Sequence, residues 1–174
     1  MKPLFSEERI QSRVDALGRE ISRDYLGKDL ILIGVLNGGF IFTADLCRAI
    51  AIPHKIDFIG ASSYGNHTKS SQTIEYTKLL KDSIAGKSVL IVEDIVDTGK
   101  TLEFLVEDLQ KQSPKDLKIA SLFWKKQKAN PKIIVDYYGF IIEDDFLVGY
   151  GLDFAGHYRN LPFVGVYHPG EVSE

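Results

Sequence analysis

The sequence predicts an α/β fold: a mostly parallel sheet flanked by helices, with a small C-terminal cap. Short apolar runs of strand length recur at Leu30–Leu36, Ile56–Ala61, Ser88–Val92, Leu117–Phe123 and Ile133–Tyr138. Several are apolar almost throughout, as strands covered on both faces are. Helical patterns sit between them, at Phe40–Ile50 after the first run and Thr101–Gln110 after the third. Strand alternating with helix is the pattern of a parallel sheet wound on both faces, where ligands bind at the carboxyl ends of the strands.

The elements follow in order. Ser6 is the expected N-cap of an opening helix, with Glu7 and Glu8 favourable in its first turn. Ile10, Val14, Leu17 and Ile21 recur every three or four residues, and Gly27 punctuates the end. In the later helix Leu102, Leu105, Val106 and Leu109 form one stripe. The segment Ser62–Thr73, SSYGNHTKSSQT, is polar and rich in small residues. It reads as a surface loop or, more sharply, as a lid over an active site. From Tyr137 onward, short apolar pieces interrupted by glycines and aromatics suggest the cap over the end of the sheet.

A chain of 174 residues can bury about 70% of its surface, so one domain over 1–174 is expected, with no staple required. No Pro/Gly/Ser linker or internal repeat divides it. Twenty-one basic residues against 24 acidic ones give a net charge of −3, which speaks against a nucleic-acid-binding face. The single cysteine, Cys47, forbids an internal disulfide and suits a reducing compartment. The longest charge-free stretch, Leu30–Ala44, is too short and too glycine-broken to span a bilayer, and MKPLFSEERI lacks the apolar core of a signal peptide. A cytoplasmic protein without membrane association is the expectation.

Chemistry concentrates in Val89–Leu102, VLIVEDIVDTGKTL. An apolar strand delivers Glu93, Asp94 and Asp97 together, and Thr98, Gly99, Lys100 and Thr101 open a helix. Capping accounts for one acid. Three beside a low-dielectric strand end repel one another unless a hydroxyl-bearing ligand and a metal ion relieve them. Free amides, hydroxyls and a glycine suit a phosphate monoester, and the acids suit a ribose diol. Rival motifs fail. A nucleotide P-loop needs a glycine where Asp94 stands, and Phe154 occupies the third-glycine position of a dinucleotide fingerprint begun at Gly149. His54, His67, His157 and His168 are scattered, which disfavours zinc, and no G-x-S-x-G elbow occurs.

VLIVEDIVDTGKTL is similar to the phosphoribosyl pyrophosphate motif of type I phosphoribosyltransferases. With IGVLNGGFIFTADL, SSYGNHTKSS, ASLFWKK and FLVGYGLDFAGHYRNLP, the chain resembles the hypoxanthine-guanine phosphoribosyltransferases from about Ile31 to His168. The resemblance implies that Asp97–Thr101 cradles the 5′-phosphate, that Glu93 and Asp94 hold the ribose hydroxyls directly or through magnesium-bound water, and that Asp97 takes the purine N7 proton. It implies further that Lys125 points at the 6-oxo group, that Phe146 stacks on the purine and that the Leu147 backbone reads the ring edge. Asp153 would ligate a second magnesium (Mg2+), Arg159 would hold pyrophosphate, and Ser63 and Tyr64 would close over the reacting centre. Residues from about 137 to 174, with the N-terminal segment, would form the purine-binding hood. The family often places a basic residue after the first strand; here Asn37 stands there, leaving backbone amides at Asn37, Gly38 and Gly39 to meet pyrophosphate.

Two rivals stay open at this point. One is a non-catalytic, phosphoribosyl pyrophosphate-sensing regulator that binds RNA; the other is an enzyme of the same chemistry preferring xanthine. The implied partners are phosphoribosyl pyrophosphate, 6-oxopurines and, as a homodimer or homotetramer, further copies of the chain. Phe40 and Phe42 are read as either core or subunit interface.

Overall fold

A computed structural model describes residues 1–64 and 73–168. In chain order the elements are β1 (Pro3–Phe5), α1 (Glu7–Asp24), β2 (Leu30–Leu36), α2 (Phe40–Ala49), β3 (Lys55–Tyr64), β4 (Thr73–Lys78), β5 (Ser88–Val96), α3 (Lys100–Gln110), β6 (Asp116–Trp124), β7 (Tyr137–Ile141), β8 (Leu147–Val148) and β9 (Val164–Val166).

Six strands form the main sheet in the order β4-β3-β2-β5-β6-β7. All its pairings are parallel except β3 with β4. The central strands β2 and β5 are covered on both faces, which is why their sequences are apolar without alternation. Leu30 and Leu32 face one core with Leu90, Val92, Leu122 and the buried stripes of α1 and α2. Ile31 and Ile33 face the other with Ile91, Ile119 and Leu102, Leu105 and Leu109 of α3. Fully burying each such side chain stabilises the fold by roughly 1.5–3 kcal/mol before entropy is counted. α1 starts as its sequence predicts: the Ser6 hydroxyl accepts from the Arg9 amide at 3.3 Å. Among the described residues no helix is long and apolar enough to cross a membrane.

The second, smaller sheet has the order β1-β9-β8, all antiparallel, so segments from both ends of the chain join above the main sheet. Phe5 fastens it to the main sheet, its ring 5.0 Å from Phe123 and 4.6 Å from Phe140. The Tyr150 hydroxyl, donating to Asp45, fastens it to α2.

Three sequence expectations need correction. The run Ile133–Tyr138 is not a strand along its length; pairing begins at Tyr137. Ile133 and Val135 are buried against the α3 face from irregular chain that follows Pro131, so burial alone made the run apolar. Tyr137–Ile141 belongs to the main sheet rather than to the cap. The expected lid starts and ends in strand: Ser62, Ser63 and Tyr64 complete β3, paired with Glu75, Ile74 and Thr73 of β4. Residues 65–72, the body of that segment, lie outside the described residues.

Candidate active site

The site lies at the carboxyl end of the parallel strands. β5 carries Glu93, Asp94 and Val96 to the carboxyl end of the sheet, and its chain then turns through Asp97–Gly99 into α3. Gly99 is the N-cap at φ 78°, a left-handed conformation that glycine adopts without a Cβ penalty. No side chain caps α3, so its first amide groups stay available to a ligand. The following connection braces this turn from outside. Lys125 N–H donates to Val96 O at 2.9 Å, and Asn130 N–H donates to Thr98 O at 2.9 Å. Asn130 Nδ2 also donates to Glu103 Oε2 in the first turn of α3, at 2.7 Å.

Two cavities meet here. One, about 250 Å³, is lined by Val35, Leu36, Ala61, Glu93 and the continuous run from Ile95 to Leu102. The other, about 240 Å³, is lined by Asp94, Ile95, Asp97, Lys125, Asp145, Phe146, Leu147, Leu152 and Asp153. Ile95 and Asp97 line both.

The carboxylates are electrostatically uneasy. Burial, then the Asp94 charge, pushes Glu93 well above the usual carboxylate range. Burial also raises Asp94, opposed by hydrogen bonding with Glu93, by the Ile95 amide that donates to its Oδ1 at 2.7 Å, and by the charge of Arg159. Asp94 also abuts the turn after β2. A Cβ on Gly38 would collide with Asp94 Oδ2, and one on Gly151 would collide with Gly38 O. The Leu36–Asn37 peptide bond in that turn is cis, and Asn37 itself is exposed. Arg159 donates to Gly151 O at 2.6 Å and pairs with Asp153 at 2.8 Å.

On the other side of Asp97 stands a quartet of alternating charge. Lys125, 6% exposed, places Nζ 2.8 Å from Asp144 Oδ1 and 3.5 Å from Asp97 Oδ2. Lys128 places Nζ 2.7 Å from Asp144 Oδ1 and 3.0 Å from Asp97 Oδ1. Hydrogen bonds from Lys125 and then Lys128 hold Asp144 down at about 2. Asp144, and then Asp97, raises Lys128. Phe146 is half exposed over the second cavity, with Phe154 and Tyr167 meeting its ring edge-on at 5.9 and 6.0 Å.

The structure thus gathers Glu93, Asp97, Thr98, Gly99, Lys100 and Thr101 around one cavity, and Asp94, Lys125, Phe146, Leu147 and Asp153 around the other. Arg159 reaches this group through Asp153, and Gly38 through its close approach to Asp94. The side chains of Ser63 and Tyr64 lie outside the described residues. Sequence reasoning missed Asp144, Lys128 and Asn130. The available signal was a surplus of charge: a KKQK run and an EDD run are partners.

Comparison with known proteins shows the family. The phosphoribosyl transferase domain family model matches residues 3–155. The hypoxanthine-guanine phosphoribosyltransferase of Dictyostelium discoideum is 46% identical over 166 residues, covering 93% of this chain and 92% of that protein. A crystal structure of a Staphylococcus aureus hypoxanthine phosphoribosyltransferase superimposes with a TM-score of 0.93 at 40% identity, covering 100% of this chain and 95% of that one. The bifunctional protein TilS/HprT of Listeria innocua is 42% identical over 99% of this chain, which spans only 27% of that relative's length. A matching domain model over most of the chain, near-full-length relatives and a shared fold make this chain a member of the phosphoribosyl transferase family.

Proposed function

We propose that the chain transfers the 5-phosphoribosyl group of phosphoribosyl pyrophosphate to hypoxanthine or guanine, giving IMP or GMP and pyrophosphate. The observation that carries this reading is the wall common to the two cavities, Ile95 and Asp97. A sugar phosphate in the first cavity and a base in the second would meet across it, at a carboxylate that lines both.

In this reading the amides and hydroxyls of Asp97–Thr101 bind the 5′-phosphate at the α3 N-terminus. Glu93 and Asp94 accept from the ribose hydroxyls. Phe146 stacks on the purine, Leu147 meets its edge through the backbone, and Lys125 donates to the 6-oxo group. A 6-amino group would face that ammonium donor to donor, so adenine is disfavoured. A C1′–N bond forms as the C1′–O bond to pyrophosphate breaks. The electron pair leaves with pyrophosphate and the N7 proton passes to Asp97. Ser63 and Tyr64 would close over this centre, and Arg159, with the amides at Asn37, Gly38 and Gly39, would meet the leaving group.

Glu93, Asp94 and Asp153 fit magnesium, since they offer hard oxygens and burial raises the first two, a penalty that a facing cation would relieve. Bound with the donor, the ion supplies positive charge against pyrophosphate. Among the described residues no three acidic, histidine or cysteine side chains converge as a metal site, so waters and substrate oxygens would complete the coordination. The proposal extends to a single domain with a purine-binding hood, to a cytoplasmic setting, which the lone free Cys47 suits, and to a homodimer or homotetramer. Phe42 is core, whereas Phe40 stays 42% exposed at the start of α2 and is free to meet a second copy.

The test is pyrophosphate release with each of hypoxanthine, guanine, xanthine and adenine. Release with the first two and little with adenine is expected. Dominant turnover of xanthine would reassign the base. Binding of phosphoribosyl pyrophosphate with no release for any base would overturn catalysis in favour of a regulator.

A further inference from the structure

We propose that Asp144 is a positioning residue that holds Lys125 in line with the purine and keeps one oxygen of Asp97 free to accept its proton. The inference rests on the reading of Asp97 and Lys125 given above.

Lys125 is an ammonium in an almost closed setting, and such a group must find an anion. Two lie within reach: Asp144 at 2.8 Å and Asp97 at 3.5 Å. Lys128 Nζ stands at ion-pair distance, 3.0 Å, from Oδ1 of Asp97 without a hydrogen bond to it, and the oxygen nearest Lys125 is Oδ2. Asp144 therefore decides how Asp97 is shared. With Asp144 present, Lys125 is held at contact elsewhere and stays 3.5 Å from Oδ2 with no hydrogen bond to it. Without it, a shift of under an ångström brings Lys125 onto Oδ2, and both oxygens of Asp97 carry a lysine. A carboxylate so occupied is a poor proton acceptor, and a lysine drawn over to Asp97 is displaced from its line to a 6-oxo group.

Asp144 can do this because of where the fold puts it. It stands in the connection between β7 and β8, two residues before Phe146, while both lysines stand just after β6. Its carboxylate reaches across to Nζ of each, so the segment that carries the stacking ring also aligns the lysine that reads the ring. Its side chain is 63% exposed, so it is not a support of the core.

The experiment is a double-mutant cycle of Asp144→Asn and Lys125→Met, read as kcat and as separate KM values for base and donor, with hypoxanthine and guanine. Asp144→Asn alone is expected to lower kcat about 10-fold and raise the base KM, with the donor KM unchanged. In the Lys125→Met background the same change should alter kcat by less than about twofold, because Lys125 is no longer there to shift onto Oδ2. Asp144→Glu should restore much of the kcat, and melting temperatures should stay within about 2 °C of the parent. Independent, multiplicative losses in the two backgrounds would overturn the role of Asp144 while leaving the assignment of the site intact. Absence of base-dependent pyrophosphate release by the unmodified protein would overturn both.

Discussion

Gly38→Ala tests the tightest contact in the site. The added Cβ would overlap Asp94 Oδ2, and Asp94 is 8% exposed with its other oxygen pinned by the Ile95 amide at 2.7 Å. Two responses are open to the protein. Either the turn after β2 shifts, at an overpacking cost of about 1–3 kcal/mol, or Asp94 rotates and gives up a charge-assisted hydrogen bond of about 1.5–3 kcal/mol. Both routes converge on about 2 kcal/mol, or a melting temperature lower by about 4–8 °C for a chain of this size. Both also displace a proposed ligand of the ribose, so the donor KM should rise about 10-fold while the base KM holds. Gly27→Ala is the control. Gly27 has φ 76° and open space around its Cβ position, so that substitution carries about 1 kcal/mol of backbone strain and nothing more. Calorimetry and steady-state kinetics on the two variants separate the effects. Equal melting temperatures with equal donor KM values would refute the reasoning.

Asp97→Asn should lower kcat by about 10²–10⁴ with the donor KM kept within about threefold, measured by steady-state pyrophosphate release. Glu93→Gln should stabilise the ligand-free protein while weakening donor binding, since it removes a buried charge. The gain in melting temperature should grow as pH rises above the ordinary carboxylate range. A carboxyl whose folded pKa is raised binds more protons folded than unfolded, so its ionised form progressively costs stability with rising pH. A melting series across pH in the presence and absence of donor checks this, and a gain that is flat with pH would contradict it. Asn130→Asp should set a carboxylate against Glu103, now 2.7 Å from the Asn130 amide, and loosen the phosphate turn. Isothermal titration should show a donor Kd raised about 5- to 10-fold with base affinity unaltered.

Legibility in the sequence followed how local each interaction is. Leu30–Leu36 reads correctly to the residue because a strand buried on both faces needs nothing but apolar side chains. Ile133–Tyr138 misleads for the same reason: Ile133 and Val135 are equally buried without pairing, and composition does not distinguish a ladder from a packed loop. β4, TIEYTK, carries polar residues at an edge, and β1, β8 and β9 are too short to show periodicity. In the site, VLIVEDIVDTGKTL was legible because strand, acids and glycine turn are contiguous. Asp144 and Lys128 were not, because their meaning lies in ion pairs across 16 positions of sequence. Asn130 was hidden likewise, its side chain serving a helix 27 positions away.

The pairing of β1 with β9 bears on the order in which a nascent chain gains its abilities. The strands that shape the phosphate turn are complete once β6 has left the ribosome, whereas the small sheet beside the base cavity waits for Val164–Val166 to meet Pro3–Phe5. At roughly 5–20 residues per second, the interval between those events lasts seconds. During it the growing chain has the strands that carry the proposed phosphate turn but lacks the walls beside the proposed base pocket. In that reading the donor half of the site precedes the base half in synthesis.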